Sequence, residues 1–442
     1  MIFRRKLYQD MLEWKQRSKG STALMIEGAR RVGKTTIAET FAANEYKVWV
    51  RINFSVSDKE INNLFTDLSD IDRLYRGLQY YTDKEFVERD TAIIFDEVQN
   101  FSRAREAVKH LVKDGRYDII ETGSLISIMK NVKDIVIPSE EEHLELHPLD
   151  FEEFLWAKGN DTFRLLKYNF EHREPLGQLA HRKMMREYRE YIAVGGMPQA
   201  VDAYVKGLSF QEIDRIKRSI IRLYVDDFRK IDSTGNMGKY FRMIPSELSR
   251  ESRRYRITES NPNGRLKTEA TAFSEMSDSK TVQLCYHVND PRLGMSGNLD
   301  MTFFKMFLED TGLFVTLCFY DSQFSDNVIY EKLIGGKLPA NLGYVYENAV
   351  SQALISSGHI PRYHTFPKSD GNHYYEIDFL ISKGLKVIPI EVKSSSEKSH
   401  KSLDEFLKKH HADIADAYVL CTKDVYESDG VVYLPIYMAG FI

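Results

Sequence analysis

The stretch that decides the fold covers residues 23–36 and reads ALMIEGARRVGKTT. Its first five residues form a short apolar run that predicts a buried strand, and the residues from Lys34 to about Asn44 follow a helical pattern. Between the two, Gly28-x4-Gly33-Lys34-Thr35 has the spacing of a phosphate-binding loop. The strand before it and the helix after it are the context that such a loop requires.

The residue types in this loop suit the binding of ATP with Mg²⁺. Glycines let backbone N–H groups turn towards phosphate oxygens, and the helix N-terminus adds partial positive charge. Lys34 can reach the β- and γ-phosphates, and the hydroxyl of Thr35 can bind Mg²⁺. The predicted nucleotide-binding residues of the loop are Gly28, Ala29, Arg30, Arg31, Val32, Gly33, Lys34, Thr35 and Thr36.

An acidic pair, Asp96 and Glu97, directly follows the apolar run of residues 91–95, which predicts another buried strand. Carboxylates at the carboxyl end of such a strand lie where an α/β sheet binds its ligand. We predict that Asp96 holds Mg²⁺, directly or through water, and that Glu97 is the catalytic base that orients the attacking water. A solvated strand end is the alternative.

Two hydroxyl residues, Thr122 and Ser124, end the next predicted strand, residues 118–122. Either hydroxyl could contact the γ-phosphate of ATP, and a plain turn is the alternative. Arg103 and Arg105 are candidates for an arginine finger only because they follow the acidic pair.

The chain of 442 residues is long enough for two to four domains, and its 43% hydrophobic content excludes wholesale disorder. Strands that alternate with helices predict an α/β fold with a parallel sheet, here a P-loop NTPase domain, over residues 1–150. Residues 151–235 are predicted as a helical linker or lid, 236–335 as a winged-helix-like domain, and 336–442 as a C-terminal α/β domain.

Composition excludes several classes of protein. Cys285, Cys318 and Cys421 lie too far apart for a disulfide framework or a zinc site. The sequence has no signal-peptide pattern and no apolar run of transmembrane length, so we expect a cytoplasmic protein that does not bind membranes. The net charge of −4 gives no bulk argument for nucleic acid.

A second constellation lies near the C-terminus, where Asp378 and Glu391 are embedded in apolar strands and Lys393 follows at i+2 of Glu391. Side chains i and i+2 share one face of a strand, so Glu391 and Lys393 point together. Two carboxylates and a lysine are the minimal set for metal-assisted phosphodiester hydrolysis, and Glu347 could supply a third carboxylate to Mg²⁺. The alternatives are a salt-bridged strand pair and a fold used only for binding.

Two stretches are locally basic. Residues 242–267 contain seven Lys or Arg against three acids, and residues 383–411 contain seven Lys against four acids. Residues 245–249 could cap a helix that carries the arginines. Either stretch could bind DNA, and a solvated or salt-bridged surface is the alternative.

These motifs together resemble a large family of prokaryotic AAA-type ATPases with a C-terminal domain of unknown function. That domain is similar to PD-(D/E)xK restriction-endonuclease-like nucleases. The matching segments are GARRVGKTT (28–36), AIIFDEVQ (92–99), ETGSLIS (121–127), LHPLDFEEFL (146–155), VGGMPQAV (194–201), LEDTGLF (308–314), GYVYENAV (343–350), YEIDFLI (375–381) and IPIEVKSSS (388–396).

The resemblance implies ATP binding by residues 28–36 with Asp96 and Glu97 as the second nucleotide motif. It also implies a nuclease-like core at Glu347, Asp378, Glu391 and Lys393. The combined prediction is an ATPase whose nucleotide state controls a DNA-directed C-terminal domain, and an oligomer is compatible with it. The alternatives are an ATP-dependent switch or scaffold whose nuclease-like domain only binds a partner or DNA, and a slow nucleotide-binding regulator.

Overall fold

The computed structural model describes residues 1–57, 59–123, 140–249, 255–256, 265–292, 294–321, 327–337, 343–368, 371, 373–394 and 400–442. Side chains are described at these positions except 255, 256 and 265–269. The chain divides into two compact units. The first comprises Met1–His147 with Asp278–Lys280, and the second comprises Pro148–Ser277 with Thr281–Ile442.

The described part of the first unit is a parallel sheet with helices. Its strands are β1 (Ala23–Glu27), β2 (Val48–Asn53), β3 (Thr91–Asp96), β4 (Asp118–Thr122) and β5 (Glu141–Glu145). Its helices are α1 (Leu7–Ser18), α2 (Lys34–Glu45), α3 (Lys59–Leu64), α4 (Ile71–Thr82) and α5 (Ser102–Asp114). The strand order is β2-β3-β4-β1-β5, and all neighbours are parallel. The predicted α/β fold with a parallel sheet is confirmed.

The sheet explains why the predicted nucleotide-binding residues gather at one edge. β1, β3 and β4 are buried along their whole length, as in parallel sheets that helices cover on both faces. Their carboxyl ends lead into the loop of residues 28–33 and end at Asp96 and Thr122. β4 lies between β1 and β3, so that Thr122 stands next to both of the other strand ends.

The second unit begins with helices. They are α6 (Phe151–Ala157), α7 (Phe163–His172), α8 (Gln178–Val194), α9 (Pro198–Val205), α10 (Phe210–Ile231) and α11 (Asn236–Ser249). Local sequence explains several of their starts. Asp150 and Ser209 each form a capping box with the glutamate three residues later, and Pro198 takes the first position of α9.

The predicted helix cap at residues 245–249 is wrong. These residues form the last turns of α11, with Pro245 inside the helix, so they end a helix instead of starting one. The expectation that arginines follow on a helix concerns Arg250, Arg253 and Arg254, which lie outside the described residues.

A nine-stranded sheet organises the rest of the second unit. Its strands are β6 (Tyr255–Arg256), β7 (Val282–Val288), β8 (Leu299–Leu308), β9 (Arg362–Pro367), β10 (Tyr374–Lys383), β11 (Lys386–Val392), β12 (Tyr418–Cys421), β13 (Tyr426–Ser428) and β14 (Val431–Pro435). The accompanying helices are α12 (Arg265–Asp278), α13 (Thr311–Cys318), α14 (Asn327–Ile334), α15 (Gly343–Ser356) and α16 (Lys401–His410). The strand order is β13-β14-β12-β11-β10-β9-β7-β8-β6.

The C-terminal part of this sheet combines an antiparallel meander with a parallel strand. After α15, β9, β10 and β11 form an antiparallel meander, and α16 then connects β11 to the parallel strand β12. The sequence predicted strands around Asp378 and Glu391, which are β10 and β11, but not β9. The restriction-endonuclease-like fold stays a prediction.

β7 and β8 belong to the same sheet, because β7 pairs with β9 at His287 and Tyr363. The segments that we predicted as separate domains, 236–335 and 336–442, therefore share one sheet, and the winged-helix-like domain stays a prediction. Among the described helices, none is both long and apolar enough to cross a membrane.

Candidate functional site

The phosphate-binding loop follows β1 through backbone conformations that require glycine. Gly28 has φ 142° and Gly33 has φ 101°. A Cβ atom on Gly28 would lie 2.2 Å from the carbonyl oxygen of Leu146, which no side chain could tolerate. Val32 is buried beneath the loop, whereas Arg30, Arg31 and Thr36 are exposed.

Lys34 folds back onto the loop that it follows. Its Nζ donates hydrogen bonds to the carbonyl oxygens of Gly28 at 2.9 Å and Ala29 at 3.0 Å. Burial lowers the pKa of Lys34 to about 8, although the carboxylates of Glu97 and Asp96 act in the opposite direction. Two neutral carbonyl groups hold the ammonium, so charged phosphate oxygens would be stronger partners for it.

Asp96 is the point where three chain segments meet. Its Oδ1 accepts hydrogen bonds from the hydroxyls of Thr35 at 2.7 Å and Thr122 at 2.6 Å. Thr122 also accepts a 3.3 Å hydrogen bond from the backbone N–H of Glu97. The structure thus brings together the loop, the acidic pair and the hydroxyl at the end of β4. A hydroxyl and a carboxylate in contact are oxygen ligands of the kind that Mg²⁺ prefers.

Glu97 lies in the left-handed region of the backbone, with φ 54°. For a residue other than glycine this conformation costs of order 1 kcal/mol or more, and such residues cluster at functional sites. Its carboxylate is partly buried and accepts a hydrogen bond from Nε2 of Gln99. The predicted base is therefore oriented by a neighbouring side chain.

The two arginine-finger candidates differ in burial and in their partners. Arg105 is wrong as a candidate, because its side chain is 3% exposed and forms ion pairs with Glu121 at 3.0 Å and Glu141 at 2.9 Å. Burial and the neighbouring Glu141 raise the pKa of Glu121, against the influence of Arg105. Arg103 is exposed and pairs with Glu106, three residues later on α5. Ser124 lies outside the described residues.

The C-terminal carboxylates come from three elements of the second unit. Glu347 lies on α15, Asp378 on β10 and Glu391 on β11, and all three are buried. The pairing between β9 and β10 shifts register between Ile377 and Leu380. Such an irregularity redirects side chains, and Asp378 lies within it.

Two of these carboxylates accept hydrogen bonds from Val392 and Lys393, at the end of β11. The Nζ of Lys393 donates a 2.9 Å hydrogen bond to Oε2 of Glu391, and the backbone N–H of Val392 donates to Oδ2 of Asp378 at 2.9 Å. Burial and the charge of Asp378 raise the pKa of Glu391 to about 8, although Lys393 lowers it. The other oxygen of Glu391, Oε1, is buried and accepts no hydrogen bond from the described residues.

Sequence reasoning missed a central residue of this cluster, Lys305 on β8. Its side chain is fully buried, and its Nζ lies 2.7 Å from Glu376, 3.8 Å from Glu347 and 3.8 Å from Asp378. Burial would lower the pKa of Lys305, but these three carboxylates raise it. A signal was present, because Lys305 interrupts the otherwise apolar run of residues 303–308.

The predicted ligands of a metal ion are not gathered for direct joint coordination. In the described parts of the chain, Glu347, Asp378 and Glu391 do not form a set whose oxygens all lie within 4.8 Å of one another. An ion bound by all three would require side chains to move. Their donor chemistry fits Mg²⁺, whereas their present arrangement does not.

The basic stretches are only partly available for a partner. In residues 383–411, Lys383 pairs with Asp416 at 2.9 Å, Lys393 with Glu391 and Lys408 with Glu405. Of residues 242–267, Arg242 is exposed on α11, but most of the arginines lie outside the described side chains. DNA binding by either stretch stays a prediction.

Comparisons with known families identify three segments. Residues 20–155 match the family described as the AAA domain. The first unit therefore contains an AAA-type P-loop ATPase domain. Residues 185–324 and 342–438 match two domains of unknown function, DUF8612 and DUF4143. No curated protein matches the chain.

Several solved structures are similar to the chain. The Walker-type ATPase PABY2304 of Pyrococcus abyssi is 13% identical, with 72% of this chain and 96% of that chain covered and a TM-score of 0.40. RuvB of Thermotoga maritima is 13% identical, with 62% and 85% covered and a TM-score of 0.31. Orc1 of Aeropyrum pernix, solved in complex with DNA, is 12% identical, with 76% and 93% covered and a TM-score of 0.25. These low values carry no functional argument.

Proposed function

We propose that the protein is a Mg²⁺-dependent ATPase whose nucleotide state controls the second unit. The observation that carries the proposal is the shared oxygen of Asp96, which accepts hydrogen bonds from both Thr35 and Thr122. This contact joins the phosphate-binding loop to the acidic pair and to the hydroxyl that follows β4. These are the parts that phosphoryl transfer by a P-loop ATPase requires.

Each residue has a defined role in this proposal. Backbone N–H groups of residues 28–36 bind the phosphates of ATP, and Lys34 exchanges the carbonyls of Gly28 and Ala29 for phosphate oxygens. Thr35 and Asp96 hold Mg²⁺, which neutralises charge on the phosphates when it is bound. Glu97 accepts a proton from the attacking water and orients it.

The test is an ATP-binding and hydrolysis assay on four proteins. We expect the wild type to hydrolyse ATP with Mg²⁺ and Lys34→Ala to lose binding or hydrolysis. Glu97→Gln should keep binding but hydrolyse roughly 100-fold more slowly, because a general base contributes about that much. Lys47→Ala is the matched control, since Lys47 is an exposed lysine of the same unit. Unchanged ATP affinity and turnover in Lys34→Ala would overturn the proposal.

A second candidate function is metal-dependent cleavage of phosphodiester bonds by the C-terminal cluster. It is favoured by the hydrogen bond between Lys393 and Glu391, by the one that Asp378 accepts from Val392, and by the buried Oε1 of Glu391, which accepts no hydrogen bond from the described residues. The ion pairs of Lys305 favour the alternative, a domain that binds a partner or DNA without cleaving it.

Cleavage assays separate these two readings. DNA and RNA are incubated with Mg²⁺ or Mn²⁺, with and without ATP, and with wild type, Asp378→Asn or Asp404→Asn. Asp404 is a partly exposed carboxylate of the same unit, so its variant controls for loss of charge. Metal-dependent cleavage that Asp378→Asn alone abolishes supports a nuclease. Cleavage that survives in Asp378→Asn places the activity elsewhere, and binding without cleavage supports the alternative.

A further inference from the structure

We propose that Lys305 is the resident cation of the C-terminal acidic cluster and that a divalent cation binds there only when Lys305 is withdrawn. This inference rests on the metal site of the second candidate function and adds the regulation of that site. The acidic cluster is defined here as Glu347, Glu376, Asp378 and Glu391 with the ammonium groups of Lys305 and Lys393.

The ammonium group of Lys305 lies among carboxylates. Its Nζ lies within 4 Å of carboxylates from three sequence positions, Glu347, Glu376 and Asp378, and these come from two elements, α15 and β10. The whole residue is fully buried. A lysine without water must be compensated by nearby negative charge, and these carboxylates supply it.

The fold holds Lys305 firmly in this place. On β8 it lies between the buried residues Phe304 and Met306, and it pairs in register with Cys285 of β7. The ring of Tyr363 lies 5.3 Å from its Nζ and adds a cation–π contact. The registered partner Cys285 shares a face of the sheet with the side chain of Lys305, and the charged partners lie at its end.

A divalent ion would compete with Lys305 for the same oxygens. Two cations that share Asp378 and Glu347 would repel each other at short range in a dry environment. With Lys305 in place, the carboxylates also fail to converge on one point. The buried Oε1 of Glu391, which accepts no hydrogen bond from the described residues, remains as an acceptor for an incoming ion.

The charges of the cluster agree with this competition. Four carboxyl groups face two ammonium groups, so acidic groups already outnumber basic ones, and removal of Lys305 increases this imbalance in a buried place. A divalent ion is the compact cation that could replace the ammonium and draw the oxygens together. Withdrawal of β8 or of Lys305 alone would thus convert a salt-bridged cluster into a metal site.

The experiment measures Mn²⁺ binding by the nucleotide-free full chain. We expect Lys305→Met to bind Mn²⁺ at least about tenfold more tightly than the wild type at one site, because a competing charge is gone. Addition of Asp378→Asn to Lys305→Met should remove the gain, which assigns the ion to the cluster. Lys383→Met is the control, since Lys383 lies exposed on β10.

A second variant controls for misfolding caused by a change in the net charge of the cluster. Lys305→Met with Glu376→Gln removes one charge of each sign, so the net charge of the cluster is unchanged, and we expect the same tighter binding. Equal Mn²⁺ affinity in wild type and both variants overturns the inference but leaves a metal-dependent nuclease intact. No Mn²⁺ binding by any of them overturns both. The ATPase assay is independent of either result.

Discussion

The nucleotide site and the acidic cluster each contain a buried lysine close to acidic residues, but the two lysines have different partners. Lys34 is held by the neutral carbonyl oxygens of Gly28 and Ala29, whereas Lys305 is held by full negative charges. Exchange of a carbonyl for a phosphate oxygen strengthens the interactions of Lys34. Removal of Lys305 from its carboxylates instead leaves buried charge without compensation.

Motif residues alone do not define a working site. In the first unit, the residues of the motif are the neighbours of one another. In the second unit, the motif residues Asp378 and Glu391 share their surroundings with a lysine that belongs to no motif. The first arrangement already joins the residues of the proposed nucleotide site, whereas the second would have to change before it could bind a metal ion.

Removal of Arg105 should have the largest effect on stability. Arg105→Met leaves Glu121 and Glu141 buried without their cation, so we expect the free energy of unfolding of the first unit to fall by about 3–5 kcal/mol. Denaturant unfolding monitors the change. Arg103→Met, at an exposed pair, should cost less than about 1 kcal/mol. Similar losses in both variants would contradict a structural role for Arg105.

The link between Thr35 and Asp96 should come next. Thr35→Ala removes a hydroxyl from the proposed Mg²⁺ site, and we expect turnover of ATP to fall roughly 100-fold, the usual cost of one catalytic polar group. Thr40→Ala is the control, because the hydroxyl of Thr40 donates to the carbonyl of Thr36 on the same helix. Addition of Thr35→Ala to Lys305→Met should leave Mn²⁺ binding unchanged. Loss of both ATP turnover and Mn²⁺ binding would mean that the two sites are not independent.

A buried histidine predicts a pH response of the second unit. Burial lowers the pKa of His364 to about 4, and the nearby His287, His410 and Lys409 add to this effect, although the hydrogen bond to the carbonyl of Val288 opposes it. The unfolded chain therefore takes up the proton first, and stability falls as the pH drops from about 6.5 to about 4. We expect a loss on the order of 2 kcal/mol over this range.

Unfolding measured at several pH values tests this response. His364→Phe should flatten the dependence below pH 6.5, and the exposed His411→Phe should not. An unchanged slope in His364→Phe would assign the acid sensitivity to other groups.

The smallest effect should come from an exposed lysine. Lys383→Ala breaks the surface pair with Asp416, and such pairs contribute less than about 1 kcal/mol. The stability of Lys383→Ala, compared with that of Lys305→Met, shows how burial changes the contribution of a lysine to the free energy of unfolding. A large loss of stability in Lys383→Ala would mean that exposure does not determine how much a lysine contributes to the stability of this unit.

Much of the first unit could be predicted because its signals are local. The apolar run before Gly28 and the run before Asp96 each identify a buried strand without reference to the rest of the chain. Parallel pairing then places their carboxyl ends at one edge, which accounts for the contact between Thr35 and Asp96.

The remaining features depend on contacts between distant segments. The role of Lys305 follows from carboxylates more than 40 residues later in the chain, and no spacing rule connects them. Arg105 looked available because its position in sequence does not reveal which face of α5 is buried. The strand β9 was missed since its residues include polar side chains that only the finished sheet buries, His364 among them.

The left-handed backbone of Glu97 should influence the outcome of directed evolution for thermal stability. Glycine or asparagine would adopt this conformation with less strain. A screen for heat resistance alone should therefore favour replacements at position 97 and return variants that are more stable but have lost ATP turnover. At position 97, stability and ATP turnover therefore favour different residues.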